Sequence, residues 1–246
     1  MLNLTAVTKS YLGRTAVDDV SFQVKRGEVV AFLGPNGAGK TTTMRMIAGI
    51  IEPDSGTIMC GEHDVWTDRL KAQALIGYLP EGAPLYGEMT ALSYLGFMCE
   101  TRSISRAMRA AVISTAVART SLDDVLQRPI ETLSKGFRRR VALAGAILHD
   151  PPCLILDEPT DGLDPNQKRA ARALIAALSP GRAILISTHV LDEVTAVCSR
   201  AIVVARGMIV ADETPAELAL RTPSGRLEDA FSALTEPDIH FAGHVA

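Results

Sequence analysis

The stretch Val29-Val30-Ala31-Phe32-Leu33-Gly34-Pro35-Asn36-Gly37-Ala38-Gly39-Lys40-Thr41 decides how the rest of the chain is read. Its first five residues are apolar without interruption, the pattern of a strand buried on both faces. The next eight match G-x-x-x-x-G-K-[ST]. Glycines at those places let the backbone curl so that several N–H groups face one polyphosphate, and the following helix adds the positive end of its dipole. Lys40 then reaches the β- and γ-phosphates, and the Thr41 hydroxyl is a ligand for Mg²⁺. A helix carrying Met44, Ile47 and Ala48 comes next, so the loop lies between strand and helix as its chemistry requires.

Working outward, Leu2, Leu4 and Ala6 alternate with polar residues, and Val20, Phe22 and Val24 do so again before a turn at Arg26-Gly27. Both read as half-buried strands. Pro53-Asp54-Ser55-Gly56 is a turn, and Thr57 to Cys60 a short strand after it. Residues from about 85 to 150 change character, being rich in Ala, Ser, Arg and Met at helical spacing. They read as a helical lobe inserted in an α/β core. The core resumes with the strand Leu154–Leu156, a helix over Pro165–Leu178, the strand Ala183–Ser187, and a helix carrying Val190, Leu191, Val194 and Val197. Ile202-Val203-Val204 and Met208-Ile209-Val210, joined at Arg206-Gly207, read as a closing hairpin. The tail after Thr222 is polar.

A second site follows from Leu154-Ile155-Leu156-Asp157-Glu158. A buried strand ending in two carboxylates delivers them to the carboxyl edge of a parallel sheet, where open α/β folds bind ligands. Asp157 is the candidate partner of Mg²⁺ through water, and Glu158 the candidate general base toward an attacking water. His189 follows another apolar strand and reaches the same edge.

Composition narrows the rest. The 246 residues carry a formal net charge of -3, 47% being hydrophobic and 22% charged, so there is no broad positive field to draw nucleic acid. Arg138-Arg139-Arg140 reads as a solvated face rather than a nucleic-acid patch. Cys60, Cys99, Cys153 and Cys198 are widely spaced, show no metal or redox pattern, and read as small buried hydrophobes of a reduced compartment. The N-terminus lacks the pattern of a signal peptide, and no apolar run approaches the roughly 20 residues of a membrane span. Any work at a membrane therefore requires another chain.

In order and over nearly the whole length, these motifs resemble the nucleotide-binding subunit of ABC transporters. Tyr11, with Lys9, resembles the family's A-loop, whose aromatic ring stacks on adenine. Gly34 to Thr42 (Gly34, Pro35, Asn36, Gly37, Ala38, Gly39, Lys40, Thr41, Thr42) is similar to its Walker A motif, and Leu154 to Glu158 to its Walker B motif with the catalytic glutamate. Leu133-Ser134-Lys135-Gly136-Phe137 resembles the signature sequence, Asp161-Gly162-Leu163-Asp164 the D-loop, and His189 the switch histidine. The resemblance implies a P-loop ABC ATPase fold: a mixed sheet core, an N-terminal antiparallel β-subdomain and an inserted helical lobe. Residues 1–222 would form the ATPase domain and 223–246 a short tail.

Two departures stand out. Glu81, in Tyr78-Leu79-Pro80-Glu81, occupies the family's Q-loop glutamine position, where a carboxylate can still face Mg²⁺ and the attacking water. Lys135 and Phe137 replace residues of the signature, while Ser134 and Gly136, which in the family supply a hydroxyl and a close N–H to the γ-phosphate, remain. Ser134 can equally act as a helix N-cap. The Tyr-Leu-Pro-Glu form and the ending Leu227-Glu228-Asp229-Ala230-Phe231 resemble the branch serving type-2 exporters. In the family the signature contacts ATP on the opposite subunit, so a complete site implies a second subunit; with Glu158 and His189 both kept, that subunit can be a second copy, giving a homodimer with two active sites, and a heterodimer stays open. The resemblance further implies ATP and Mg²⁺ as ligands, a separate membrane permease as partner, and a place on the cytoplasmic face of the membrane. The apolar residues Tyr86, Leu92, Tyr94, Leu95 and Phe97 fit either contact with that permease or core packing. A soluble ABC ATPase switching on ribosomes or DNA is the rival class.

Overall fold

The computed structural model describes residues 1–236; the last ten residues of the tail lie outside them. The chain runs β1 (Leu2–Tyr11), β2 (Arg14–Val24), β3 (Val29–Leu33), α1 (Lys40–Ile47), β4 (Ser55–Cys60), β5 (His63–Asp64), α2 (Arg69–Ala74) and β6 (Ile76–Leu79). It continues with α3 (Ala91–Thr101), α4 (Arg106–Thr120), α5 (Lys135–Ile147), β7 (Cys153–Asp157), α6 (Pro165–Leu178), β8 (Ala183–Thr188) and α7 (Leu191–Val197). It closes with β9 (Arg200–Ala205), β10 (Met208–Glu213), α8 (Pro215–Ala219) and α9 (Leu227–Thr235).

Two sheets result. One is antiparallel, in the order β2-β1-β4-β5; the other, β10-β9-β3-β8-β7-β6, is parallel except for the hairpin strand β10. The uninterrupted apolar runs form the centre of the second sheet: every residue of β3, β7 and β8 is buried. With a side-chain period of two, each of these strands feeds two cores. Leu154, Leu156, Ile184 and Ile186 pack under the helical lobe. Cys153, Ile155, Leu185, Val30 and Phe32 pack toward the antiparallel sheet, where the Phe22 and Phe32 rings meet with centroids 5.4 Å apart. At roughly 1.5–3 kcal/mol for each large apolar side chain, this double burial dominates the stability of the sheet.

The helical lobe is α3, α4 and α5, with Tyr94, Leu95, Val117 and Val141 at its centre. Ser134 does cap α5, its hydroxyl accepting the Phe137 N–H at 3.3 Å. α6 opens with a full capping box, Asp164 with Gln167, and a proline in the first turn, which sets its start sharply. Beyond Thr222 the tail contains α9, docked through buried Leu227 and Ala230 beside Ala201, Val203 and Val194.

Three readings of the sequence change. Ala6 does not continue the inward alternation of β1: it is exposed at φ 51°, in a register shift, and Val7 takes the buried place. β6 is an additional strand, four residues at the sheet edge. The arginine run is not uniformly solvated, since Arg139 is only 4% exposed.

Candidate nucleotide site

The carboxyl ends of β3, β7 and β8 lie side by side, because the strands are parallel and in register: Leu33 pairs with Thr188, and Asp157 with Ser187. The phosphate loop, the carboxylate pair and His189 thus emerge at one edge. They border a cleft of about 650 Å³ lined by Pro35 through Thr42, by Glu81 and Glu158, and by Arg14, Thr15, Ala16 and Arg206.

Two glycines make the loop possible. Gly39 has φ 102°, and a Cβ there would overlap the Ala16 carbonyl oxygen; Gly34 has no such angle, but its Cβ would overlap the Val204 carbonyl. Only a residue without a side chain allows that approach and that backbone. Lys40, 7% exposed, folds over the loop and donates to the Gly34 carbonyl at 2.7 Å and the Pro35 carbonyl at 3.1 Å. Burial pulls its pKa down, opposed by the carboxylates of Glu158, Asp157 and Glu81. Its ammonium lies 4.0 Å from Glu158 Oε1.

Asp157 is fully buried. Its Oδ1 accepts from the Ser187 hydroxyl, and its Oδ2 is buried with no hydrogen-bond partner among the described residues. Burial raises its pKa, against the lowering effect of the Ser187 hydrogen bond; the repulsion of Glu81 adds to the rise, and the nearby Thr41 hydroxyl and Arg45 charge reduce it. A buried carboxylate oxygen without a donor, next to a threonine hydroxyl, has the chemistry a hard divalent cation needs. No group of three or more His, Cys, Asp and Glu side chains is placed to cage a metal among the described residues. The unpartnered Asp157 oxygen and the Thr41 hydroxyl fit a Mg²⁺ that keeps waters and phosphate oxygens as its remaining ligands.

Glu158 carries backbone strain. A non-glycine at φ 48° costs roughly 1–3 kcal/mol and persists where its surroundings over-determine it. Here the Glu158 N–H donates both to the Ser187 carbonyl and to the Ser187 hydroxyl, each at 3.1 Å. That backbone turns the carboxylate toward the loop, where Oε1 lies 2.9 Å from His189 Nδ1. His189 itself is 47% exposed on its side chain.

The other expected residues are distributed as follows. Glu81 is exposed on the loop after β6 and borders the cleft. Tyr11 is 43% exposed, with the Lys9 ammonium 5.7 Å from its ring centroid, and it is not among the residues lining the cleft. Ser134 and Gly136 are also outside the cleft. They sit at the start of α5, against the segment that follows Glu158: Gly136 abuts Gln167, and Lys135 Nζ is 3.3 Å from Asp161 Oδ2. Within one chain the signature and the phosphate loop do not form one pocket.

Sequence reasoning missed four contributors: Ser187, Arg139, Arg14 and Arg206. Ser187 bonds both acidic residues at once. Arg139 donates to the carbonyls of Pro159 at 2.8 Å and Asp157 at 3.3 Å, tying α5 to the end of β7. Its one readable signal is position: Gly136, Arg139 and Leu143 share the buried face of α5 at helical spacing. Arg14 and Arg206 border the cleft from β2 and from the β9–β10 turn, and nothing local announces them.

A parallel sheet that presents a phosphate loop, a buried cation-ready aspartate and a glutamate held by a histidine defines a nucleoside triphosphatase of the P-loop class. Comparison with known proteins places it within that class. The family model for ABC transporters matches residues 17–161. The uncharacterized ABC transporter ATP-binding protein YxlF of Bacillus subtilis (strain 168) is 40% identical over 210 residues, covering 85% of this chain and 69% of that protein. The Nod factor export ATP-binding protein I of Paraburkholderia xenovorans (strain LB400) is 38% identical over 214 residues, covering 86% and 70%. A solved ATP-binding subunit of an ABC transporter superposes with a TM-score of 0.86 at 28% identity, covering 96% of this chain and 100% of the other. The chain belongs to the ABC transporter family, and it is an ATP-binding, ATP-hydrolysing subunit of that family.

Proposed function

We propose that two copies of this chain close head to tail on two ATP molecules and that the opening that follows hydrolysis drives a separate membrane permease of the exporter kind. The observation that carries this reading is the split site: Lys40, Glu158 and His189 meet at one cleft, while Ser134 and Gly136 lie outside it at a helix N-terminus with nothing of the same chain's phosphate loop before them. A helix N-terminus whose capping serine still has its O–H to donate is a ready phosphate contact, and a second copy supplies one to each cleft.

In the closed pair, the loop N–H groups and Lys40 hold the β- and γ-phosphates, and Tyr11 stacks on adenine. Thr41 and Asp157, with Glu81 alongside, would hold Mg²⁺, which would neutralise charge on the phosphates. Glu158 accepts a proton from the attacking water, whose oxygen bonds to the γ-phosphorus as the bridging P–O bond breaks, leaving ADP and phosphate. His189 keeps the Glu158 carboxylate turned to that water. Residues 1–222 are the working ATPase unit in this scheme, with residues 223–246 outside the chemistry.

No helix among the described residues is long and apolar enough to cross a membrane. In this reading the permease is a separate chain, and this one works at the cytoplasmic face of the membrane. The apolar set after Glu81 divides. Tyr94 and Leu95 belong to the core, whereas Tyr86 (59% exposed) and Phe97 (37%) form an edge-to-face pair on the surface, with centroids 5.6 Å apart. That exposed pair is the contact offered to the permease. Sedimentation velocity of the Glu158→Gln variant tests the closed pair. Dimers that form only with ATP and Mg²⁺ are expected, and a monomer at saturating ATP would refute the arrangement.

A further inference from the structure

Just past His189 the chain turns into α7, and that turn is held by a side chain the hydrolytic scheme does not use. Glu193 is 3% exposed. Its Oε2 accepts a hydrogen bond from the Thr188 hydroxyl at 2.9 Å. The same hydroxyl oxygen accepts the Val190 N–H at 3.0 Å, and the Glu193 N–H donates to the Val190 carbonyl at 3.1 Å. The residues on either side of His189 are thus tied to Glu193, directly or through one hydroxyl. The imidazole has only one side-chain partner among the described residues, Glu158, and is otherwise half open to solvent. Its direction is set from behind, by the backbone that Thr188 and Val190 fix.

A carboxylate is a costly choice for that place if stability were its purpose. Buried charges return their desolvation cost only with full pairing, and apolar replacements are often neutral or better. Here the pairing is incomplete: Glu193 Oε1 is buried without a partner, and so is Nε of Arg172 on the facing α6. Burial pushes the Glu193 pKa up, and the Thr188 hydrogen bond and the positive charges of Arg172 and Lys168, both on α6, oppose it. α6 begins directly after Asp161-Gly162-Leu163-Asp164, the segment that touches the signature helix through Lys135.

We propose that Glu193 is a positioning residue for hydrolysis: through Thr188 and Val190 it fixes the peptide on both sides of His189, so that the ring meets Glu158, and it links that position to α6. The proposal rests on Glu158 and His189 being the hydrolytic pair. Steady-state ATPase kinetics of the purified chain test it with Glu193→Ala, Glu193→Gln, Thr188→Val, Thr188→Ser and His189→Ala.

Displacing a reacting-site group by about 1 Å can cost up to about 100-fold, so Glu193→Ala and Thr188→Val are expected to lower kcat by roughly tenfold or more. KM should stay within about twofold, since the phosphate loop is untouched. Glu193→Gln and Thr188→Ser preserve the hydrogen bond and should restore most of kcat. In the His189→Ala background, Glu193→Ala should cause no further loss. A further loss of the same size in that background overturns the proposal, as does wild-type kcat in both Glu193→Ala and Thr188→Val. If Glu193→Ala does not fold, the Thr188→Val and Thr188→Ser pair decides by the same criterion. Wild-type kcat in His189→Ala would instead refute the hydrolytic pair, and the proposal with it.

Discussion

Acid should weaken this fold through His149, and the size of the effect follows from its surroundings. His149 lies just beyond the end of α5, with Nε2 3.2 Å from the Ile76 carbonyl at the start of β6 and Nδ1 buried without a partner among the described residues. In the neutral ring Nε2–H donates to Ile76. A second proton on Nδ1 would be buried with no acceptor among the described residues. Burial, helped by the nearby Arg102 charge, pushes the pKa from 6.5 to about 4, against the smaller opposing effects of the Ile76 carbonyl and Asp150.

Between those values the unfolded chain binds the proton that the folded chain refuses, so stability falls as pH drops. The contribution is complete above 6.5 and is lost through the window down to about 4. The drop from 6.5 to about 4 corresponds to about 3 kcal/mol in full, and to about 2 kcal/mol by pH 5. Urea unfolding of the wild type and His149→Gln at pH 7.5, 6 and 5 isolates this part, because the other titrating groups cancel in the difference. The wild type should lose about 2 kcal/mol more than the variant between pH 7.5 and 5. Parallel curves would refute the buried, neutral histidine.

The remaining predictions concern the site. Lys40→Ala should weaken ATP binding by roughly 10- to 100-fold, the worth of one charge-assisted hydrogen bond, as titration calorimetry would show; unchanged affinity would remove Lys40 from the phosphate contact. Gly39→Ala places a side chain at φ 102° against the Ala16 carbonyl, so it should cost at least about 1–2 kcal/mol and abolish ATP binding while leaving the far helical lobe folded. Thermal melts and nucleotide titration check both halves. Arg139→Ala leaves the Pro159 and Asp157 carbonyls without their donor and should cost about 2–3 kcal/mol in denaturant unfolding, where loss below about 0.5 kcal/mol would mean that the guanidinium is not structural.

The legible parts of this molecule were those whose chemistry is local. The phosphate loop, the strand-end carboxylates and the capped helix after Leu133 each require particular residues within a few positions, so their spacing announces them. β6 escaped notice because Ile76-Gly77-Tyr78-Leu79 is too short to show a period and exists through its pairing with β7. Gly77 looks like a breaker there, yet the strand needs it, since a Cβ would overlap the Ala146 carbonyl of α5. Arg139 was hidden inside a run of three arginines whose neighbours do face solvent. Ser187, Glu193 and the cleft-lining Arg14 and Arg206 act on partners brought near only by the sheet, so no local pattern could mark them. Ala6 went the other way: a sound alternation was broken by a bulge that moved Val7 inward.

The central claim is that Glu158, held at φ 48° by Ser187 and faced by His189, is the base that hydrolyses ATP. Single-turnover hydrolysis by the Glu158→Gln variant tests it most directly, with ATP affinity measured on the same sample. The account predicts a rate roughly 100-fold or more below wild type, the range of a lost general base, with ATP affinity retained. Hydrolysis at the wild-type rate would contradict it.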